Sequence, residues 1–178
     1  EVRDGPFSEG SGYYDEGNIC QTLKITAITM RRDAIYHDLC PISHEHMSVN
    51  RLGRESLIYQ DLKKVLPGLR SVHLGPDSAM SSGICFMTIN KTAADDGYKA
   101  GMAVIEHGGR VRLIVVVDED VDIYDQSEVL WAICTRMREG SDITLHDNAG
   151  SPTVLFDATI PFGKPFPRRA WLPKENCQ

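Results

Sequence analysis

From Thr22 to Met30 apolar and polar residues alternate. Leu23, Ile25 and Ala27 fall on one face, Lys24 and Thr26 on the other. Period two predicts a half-buried strand. Ala34 to Leu39 is a second short strand candidate. Residues 1–18, rich in Gly and acids, read as loop, and Pro41 to Asn50 is polar and irregular. At Arg54 the period changes. Leu57, Ile58, Leu62, Val65 and Leu66 recur at helical spacing, and Pro67-Gly68 stops the helix. A linker or hinge is expected just before it, around residues 41–52.

Downstream the elements alternate. Leu69 to Leu74 and Ile84 to Ile89 predict strands, with turn residues between them at Gly75-Pro76-Asp77 and Ser81-Ser82-Gly83. Ala93 to His107 predicts a helix rich in small residues, ended by Gly108-Gly109. Val111 to Val117 is continuous and β-branched, so a strand buried on both faces is expected. Asp125 to Met137 predicts a helix, with Asp125 as N-cap and Glu128 completing a capping box. Ile143 to Leu145 and Val154 to Phe156 predict short strands. The proline-rich tail from Pro161 to Gln178 must be extended. Strand and helix alternating over residues 84–156 predict an α/β layer with a mixed, partly parallel sheet. The first 40 residues predict antiparallel strands with no helix between, too few to bury a core alone; they are expected to pair with missing chain.

Composition narrows the classes. The 178 residues suit about one domain, or one domain plus a piece of another. Nineteen Lys and Arg against 25 Asp and Glu leave a charge of −6. No global pull toward nucleic acid or anionic membrane is expected. The apolar run Leu113 to Val117 is far below the roughly 20 residues of a membrane span. Five widely spaced cysteines without a CxxC pair predict reduced thiols and a cytoplasmic setting, with Cys85 and Cys134 as core thiols. The chain starts at Glu1 without an initiator Met, which suggests processing or part of a longer chain.

The sharpest chemistry is at the front. Asp4 and Glu9 straddle Gly5-Pro6, and a turn there can bring both carboxyls toward one point. Paired carboxyls split their pKa values, so one can hold a proton near neutrality and deliver it. A solvated acidic loop is the plain alternative. The stretch Asp4-Gly5-Pro6-Phe7-Ser8-Glu9-Gly10-Ser11-Gly12-Tyr13-Tyr14 resembles the E-G-P-F-G-E-x-x-G-Y-Y signature of UbiD-type decarboxylases. Val115 to Asp122, then Asp125, Glu128 to Ala132 and Thr135-Arg136, resembles that family's VVVDDDID…VLWA…TR segment. Phe156-Asp157-Ala158-Thr159 resembles its I-D-A-T strand. The three occur in the family's order.

The resemblance implies a reversible non-oxidative decarboxylase of aromatic, heteroaromatic or α,β-unsaturated acids. It implies prenylated FMN held with Mn²⁺ and K⁺, a covalent flavin adduct, and a homo-oligomer, dimer or hexamer. Glu9 would protonate the carbon that loses CO₂, with Asp4 as its acid partner; Asp4 and Ser8 depart from the family's Glu and Gly. The arginine and metal ligands of the family precede this motif, so no metal ligand is expected in this segment and an upstream segment of the same enzyme is implied. The implied division is 1–45 as the end of a split-barrel catalytic domain, 46–67 as hinge and linker helix, and 68–178 as a C-terminal α/β domain. The competing reading is a catalytically silent structural and oligomerisation module.

Other candidates reduce to simpler roles. His44-Glu45-His46 lacks the i, i+4 spacing of a helical metal pair and reads as polar loop; the resemblance places His44 near the substrate. Asp118-Glu119-Asp120-Asp122 ends a buried strand, where strand-end capping competes with Mg²⁺. Gly97-Tyr98-Lys99-Ala100-Gly101 reads as close helix packing, and Trp131 and Phe156 as core. Lys164, Arg168 and Arg169 form a small basic tail, solvated or touching the flavin phosphate or a neighbouring subunit.

Overall fold

The computed structural model describes residues 1–8, 13–38, 44–75, 83–108, 111–138, 140–148 and 151–167. Five strands form one sheet: β5 (Leu69–Leu74), β6 (Ile84–Ile89), β7 (Leu113–Asp118), β8 (Ile143–Asn148) and β9 (Ser151–Ala158). Their order is β5-β6-β7-β9-β8. The central pairs β6/β7 and β7/β9 are parallel. The outer pairs β5/β6 and β8/β9 are antiparallel. This is the mixed sheet that the strand–helix alternation predicts.

Three helices cover it. α1 (His44–Val65) and α2 (Asp96–Glu106) lie on one face, α3 (Gln126–Arg136) on the other. β7 shows why. Ile114 and Val116 point into the α1/α2 core with Leu69, Met87, Val104 and Leu155. Val115 and Val117 point into the α3 core with Phe86, Val129 and Ala132. A strand with β-branched residues on both faces must be buried on both, and residues 114–118 are.

α2 approaches the sheet through its glycines. A Cβ on Gly101 would stand 2.3 Å from Leu155 Cδ1, and one on Gly97 2.1 Å from Asp157 Oδ2. The Gly97–Gly101 stretch is therefore close packing, as its spacing suggests. Asp157 lies beneath the first turn of α2, where a carboxylate meets the positive end of the helix.

Several expectations are corrected. α1 begins at His44 rather than Arg54, so much of the expected linker is helical. No proline falls between His44 and Leu66, Gly53 lies within the helix with open space around it, and the part before Arg54 carries no apolar stripe; among the described residues Ile58 and Leu62 carry its deep burial. The α3 N-cap holds, with the Asp125 carboxylate accepting from Ser127 N–H, but the Asp125 N–H that a capping box would give Glu128 donates to Asp122 O, and Glu128 accepts from Asp122 N–H at 3.1 Å instead. Cys85 is a core thiol, its pKa pushed up to about 12 by burial and then by Glu55; Cys134 is exposed, because it falls on the solvent side of α3. Cys40 and Cys177 lie outside the described residues. The predicted strand Thr22–Met30 is not formed, nor is the described part, residues 34–38, of the one expected from Ala34 to Leu39: residues 21–31 have no regular structure, and Leu23, Ile25, Ile28 and Met30 are exposed. The front segment instead makes two short antiparallel ladders. β1 (Val2–Asp4) pairs with β4 (Asn18–Cys20), and β2 (Phe7–Ser8) with β3 (Tyr14–Asp15), within the stretch read as loop.

Two outcomes follow from this packing. Gly101→Val drives a branched side chain into buried Leu155, and overpacking of this kind costs about 1–3 kcal/mol; urea unfolding is expected to show that loss. Asp142 joins the end of α3 to the start of β8, with Arg138 Nε and N–H and Ser141 Oγ donating to its carboxylate. Burial works to raise its pKa, but these bonds together hold it below the usual carboxylate range. A lowered folded pKa means stability present at neutral pH and lost as pH falls from about 4 through the folded value. Asp142→Asn is expected to be less stable at pH 7, with the gap to the parent closing below about pH 4 in unfolding curves.

Candidate functional site

The carboxyl ends of β6, β7 and β9 open onto one cleft of about 170 Å³, lined by Asn90, Lys91, Asp118, Glu119, Ile160 to Lys164 and Phe166. Ligands in open α/β sheets commonly bind outside the carboxyl ends of the strands. The cleft owes its shape to buried polar bonds. Asp118, the last residue of β7, is buried and accepts from Arg136 Nη1 at 3.0 Å and from Ile160 N–H at 2.7 Å. Arg136, in the last turn of α3, also grips Asp120 with both terminal nitrogens, at 2.8 and 2.6 Å. Its guanidinium carbon lies 4.9 Å from the centre of the Trp131 ring. Burial raises the Asp118 pKa more than the Ile160 N–H and the Arg136 charge lower it.

The acid cluster is therefore engaged internally. Asp118 and Asp120 hold Arg136, and Glu119 meets Arg70 at 3.2 Å on the surface. The Arg136 guanidinium, with the Ile160 N–H, occupies the carboxylates at the end of this strand. Among the described residues no three His, Cys, Asp or Glu side chains are grouped to hold a metal ion. Trp131 and Phe156 are partly buried and pack against the α3-side core.

Lys164 is exposed and lines the cleft, which separates it from an ordinary solvated tail. Arg168 and Arg169 lie outside the described residues. Sequence reading missed Lys91. It lies two residues past the end of β6, and its ammonium donates to Thr159 Oγ1 at 2.8 Å and to Ile160 O at 3.2 Å. The signal was its place: a lysine just past the carboxyl end of a buried parallel strand. Two of its three N–H groups are used, and the remaining charge borders the cleft.

The front residues are placed less completely. Asp4 ends β1 opposite Asn18 and is exposed. Ser8 ends β2. Glu9 follows it and lies outside the described residues, so the geometry of the Asp4–Glu9 pair is not on view. His44 opens α1; its side chain is outside the described set.

The Arg136 cluster has a measurable consequence. Asp118→Ala leaves the guanidinium with Asp120 alone and orphans the buried Ile160 N–H. Removing one partner of a buried ion pair costs about 3–5 kcal/mol, and urea unfolding is expected to show a loss near the lower end because Asp120 remains.

Comparison with known proteins agrees with this architecture. Residues 48–160 match the family model of the 3-octaprenyl-4-hydroxybenzoate carboxy-lyase C-terminal domain. Residues 1–44 match the Rift-related domain of the same carboxy-lyase. Anhydromevalonate phosphate decarboxylase of Methanothermobacter thermautotrophicus is 32% identical over 165 residues, covering 88% of this chain and 38% of that protein. Gallate decarboxylase of Lactiplantibacillus plantarum is 30% identical over 139 residues, covering 76% of this chain and 28% of that protein. Among solved structures, an evolved dimeric form of the UbiD-class enzyme HmfF from Pelotomaculum thermopropionicum, in complex with prFMN, matches with a TM-score of 0.86 at 30% identity. That match covers 95% of this chain and 39% of the HmfF chain. The chain thus spans well under half the length of these relatives, and through both matched domains it belongs to the UbiD family.

Proposed function

We propose that this chain is the C-terminal portion of a reversible, non-oxidative carboxy-lyase acting on an aromatic, heteroaromatic or α,β-unsaturated carboxylic acid. The observation that carries the reading is the cleft. Asp118 and Glu119, from one of the stretches that resemble the family, line it beside Lys91, and Thr159, from another, bonds Lys91 and leads into its Ile160–Lys164 wall. Its volume falls short of the roughly 300–1,000 Å³ of a complete ligand site. It serves as one wall, and the remaining walls come from outside the described residues.

The residues present fit one end of a flavin nucleotide. Lys91 is held in place by Thr159 and Ile160 with a donor to spare, Lys164 adds a second charge, and Phe162 and Phe166 supply apolar surface. The nearby acids offer little repulsion, since Asp118 is held by Arg136 and Ile160 N–H and Glu119 pairs with Arg70. In this reading Lys91 and Lys164 hold the phosphate of prenylated FMN. Mn²⁺ and K⁺ are held by residues beyond this segment. When bound, the prenylated flavin supplies the electron sink that no side chain can provide for the electrons CO₂ leaves behind. Glu9 holds the proton at its carboxyl and delivers it to the carbon that has lost CO₂. Asp4 sits beside it as the second acid and disfavours two negative charges in one place. His44 lies toward the substrate. The assembled enzyme is a cytoplasmic homo-oligomer.

A second reading is favoured by one observation: Asp4 and the described residues around it are exposed. The 178 residues alone are then a structural module, silent until the rest of the enzyme covers the front ladders.

In the complete enzyme, Glu9→Gln is expected to keep the flavin's visible spectrum and lose CO₂ release by about 10²–10⁴-fold, the usual worth of a positioned acid. Full activity with Glu9→Gln would remove the catalytic assignment. Lys91→Met is expected to weaken flavin retention, read as free flavin after desalting, with the folded circular dichroism spectrum kept.

A further inference from the structure

Lys91 lines the cleft, and the groups that steer it stand behind the cleft wall. Its ammonium donates to Thr159 Oγ1 at 2.8 Å. Thr159 is buried and lies one residue past the end of β9. A hydroxyl has one proton and two lone pairs, an ammonium can only donate, and a carboxylate can only accept. Asp157 decides which way the hydroxyl faces. Its Oδ1 accepts from the Thr159 hydroxyl, and also from Thr159 N–H at 3.1 Å. The Thr159 proton is therefore turned toward Asp157 and its lone pairs toward Lys91. A hydroxyl that donates to a carboxylate is also a stronger acceptor, because hydrogen bonds in a chain polarise one another.

Asp157 is itself held. Its N–H donates to Asp142 O at 2.9 Å, which fixes the strand. Its carboxylate occupies the space that Gly97 leaves beneath the first turn of α2, where a Cβ would stand 2.5 Å from Oδ1 and 2.1 Å from Oδ2. Side chains two apart on a strand share a face. Leu155 and Asp157 thus meet α2, while Ala158 enters the α3-side core. The order Asp157-Ala158-Thr159 puts a carboxylate and a hydroxyl on the side where Lys91 arrives from β6, with a small residue between them turned the other way.

We infer that Asp157 is a positioning residue for the cofactor phosphate, acting through Thr159 on Lys91, which rests on the assignment of Lys91 to that phosphate. The ammonium that meets the phosphate is aimed by a carboxylate two hydrogen bonds away. Asp157 itself does not touch the ligand.

A mutant cycle in the complete enzyme tests this, read as the Kd for FMN from flavin fluorescence, with circular dichroism as the control for folding. Thr159→Val removes the hydroxyl and is expected to weaken FMN about tenfold, the usual worth of a hydrogen bond to a charged group. Thr159→Ser keeps the hydroxyl and is expected to bind like the parent. Asp157→Asn, which keeps the shape but offers an amide that can turn the hydroxyl proton toward Lys91, is expected to weaken FMN to a lesser degree. In a Lys91→Met background neither Thr159→Val nor Asp157→Asn is expected to weaken FMN further, because no ammonium remains to be aimed. Asp157→Asn carries the cycle alone if Thr159→Val loses its folded spectrum. Equal weakening with and without Lys91 would overturn the inference, and so would parent affinity in the Asp157 and Thr159 variants beside weak binding in Lys91→Met; both results leave the phosphate assignment standing. Parent affinity in Lys91→Met would overturn that assignment and the inference with it.

Discussion

One buried carboxylate, that of Asp118, ties together three separated pieces of chain. Arg136 ends α3, Asp118 ends β7, and Ile160 leads out of β9; the Asp118 carboxylate bonds to both of the others. Such a cluster is expensive to bury, and its directionality is what it contributes. Apolar packing would tolerate a small rotation of α3 against the sheet. A two-pronged grip on Asp120 with a third bond to Asp118 does not. The segment 160–166 leaves the sheet along a path set by that cluster, and it forms one wall of the cleft. Lys91 adds a second tie to the same strip through Thr159 and Ile160. The mouth of the cleft is therefore built from fixed polar bonds, with the apolar cores behind it.

Much of this layer was legible in the sequence because its signals are local. A run of four β-branched residues, Ile114 to Val117, occurs nowhere else in the chain. It could only be a strand buried on both faces, and Asp125 could only begin a helix. The glycines of α2 announced a close approach through their i, i+4 spacing, and Leu155 and Asp157 are what they approach. The acid cluster showed the limit of such reading. Four carboxylates after a strand are compatible with a metal ion or with a cationic side chain, and the choice is made by Arg136, distant in sequence and present only after α3 folds back. Lys91 was overlooked for a related reason. A lone lysine in a turn carries no pattern, and its meaning comes from the parallel neighbours that place Thr159 and Ile160 beside it.

The front segment failed differently. Alternation in Leu23, Ile25 and Ala27 states which face requires cover, and says nothing of whether a partner is at hand. β7 has neighbours on both sides and helices on both faces; residues 21–31 have none among the described residues, and their apolar side chains stay in water. A period-two pattern is a conditional statement, and within the described residues the condition is unmet. Helix α1 erred in the opposite sense. The part of it before Arg54 carries no apolar stripe, so periodicity stopped short of His44, although no proline there breaks the helix.

The same logic bears on chemistry. A carboxyl that delivers a proton to carbon needs a site from which water is excluded. Asp4 stands exposed at the end of a three-residue strand, so the proposed function requires a surface laid over the front ladders. The cleft at the sheet end is likewise a wall awaiting the rest of its enclosure. Two partial surfaces in one chain, one bearing acids and the other lysines, make sense as halves of a single enclosure. The chain's coverage of only 39% of the HmfF chain agrees with that division. Chemistry in such an arrangement depends on closure of the whole enzyme around the cleft, with the C-terminal layer supplying rigid, pre-positioned charge and the remainder supplying cover.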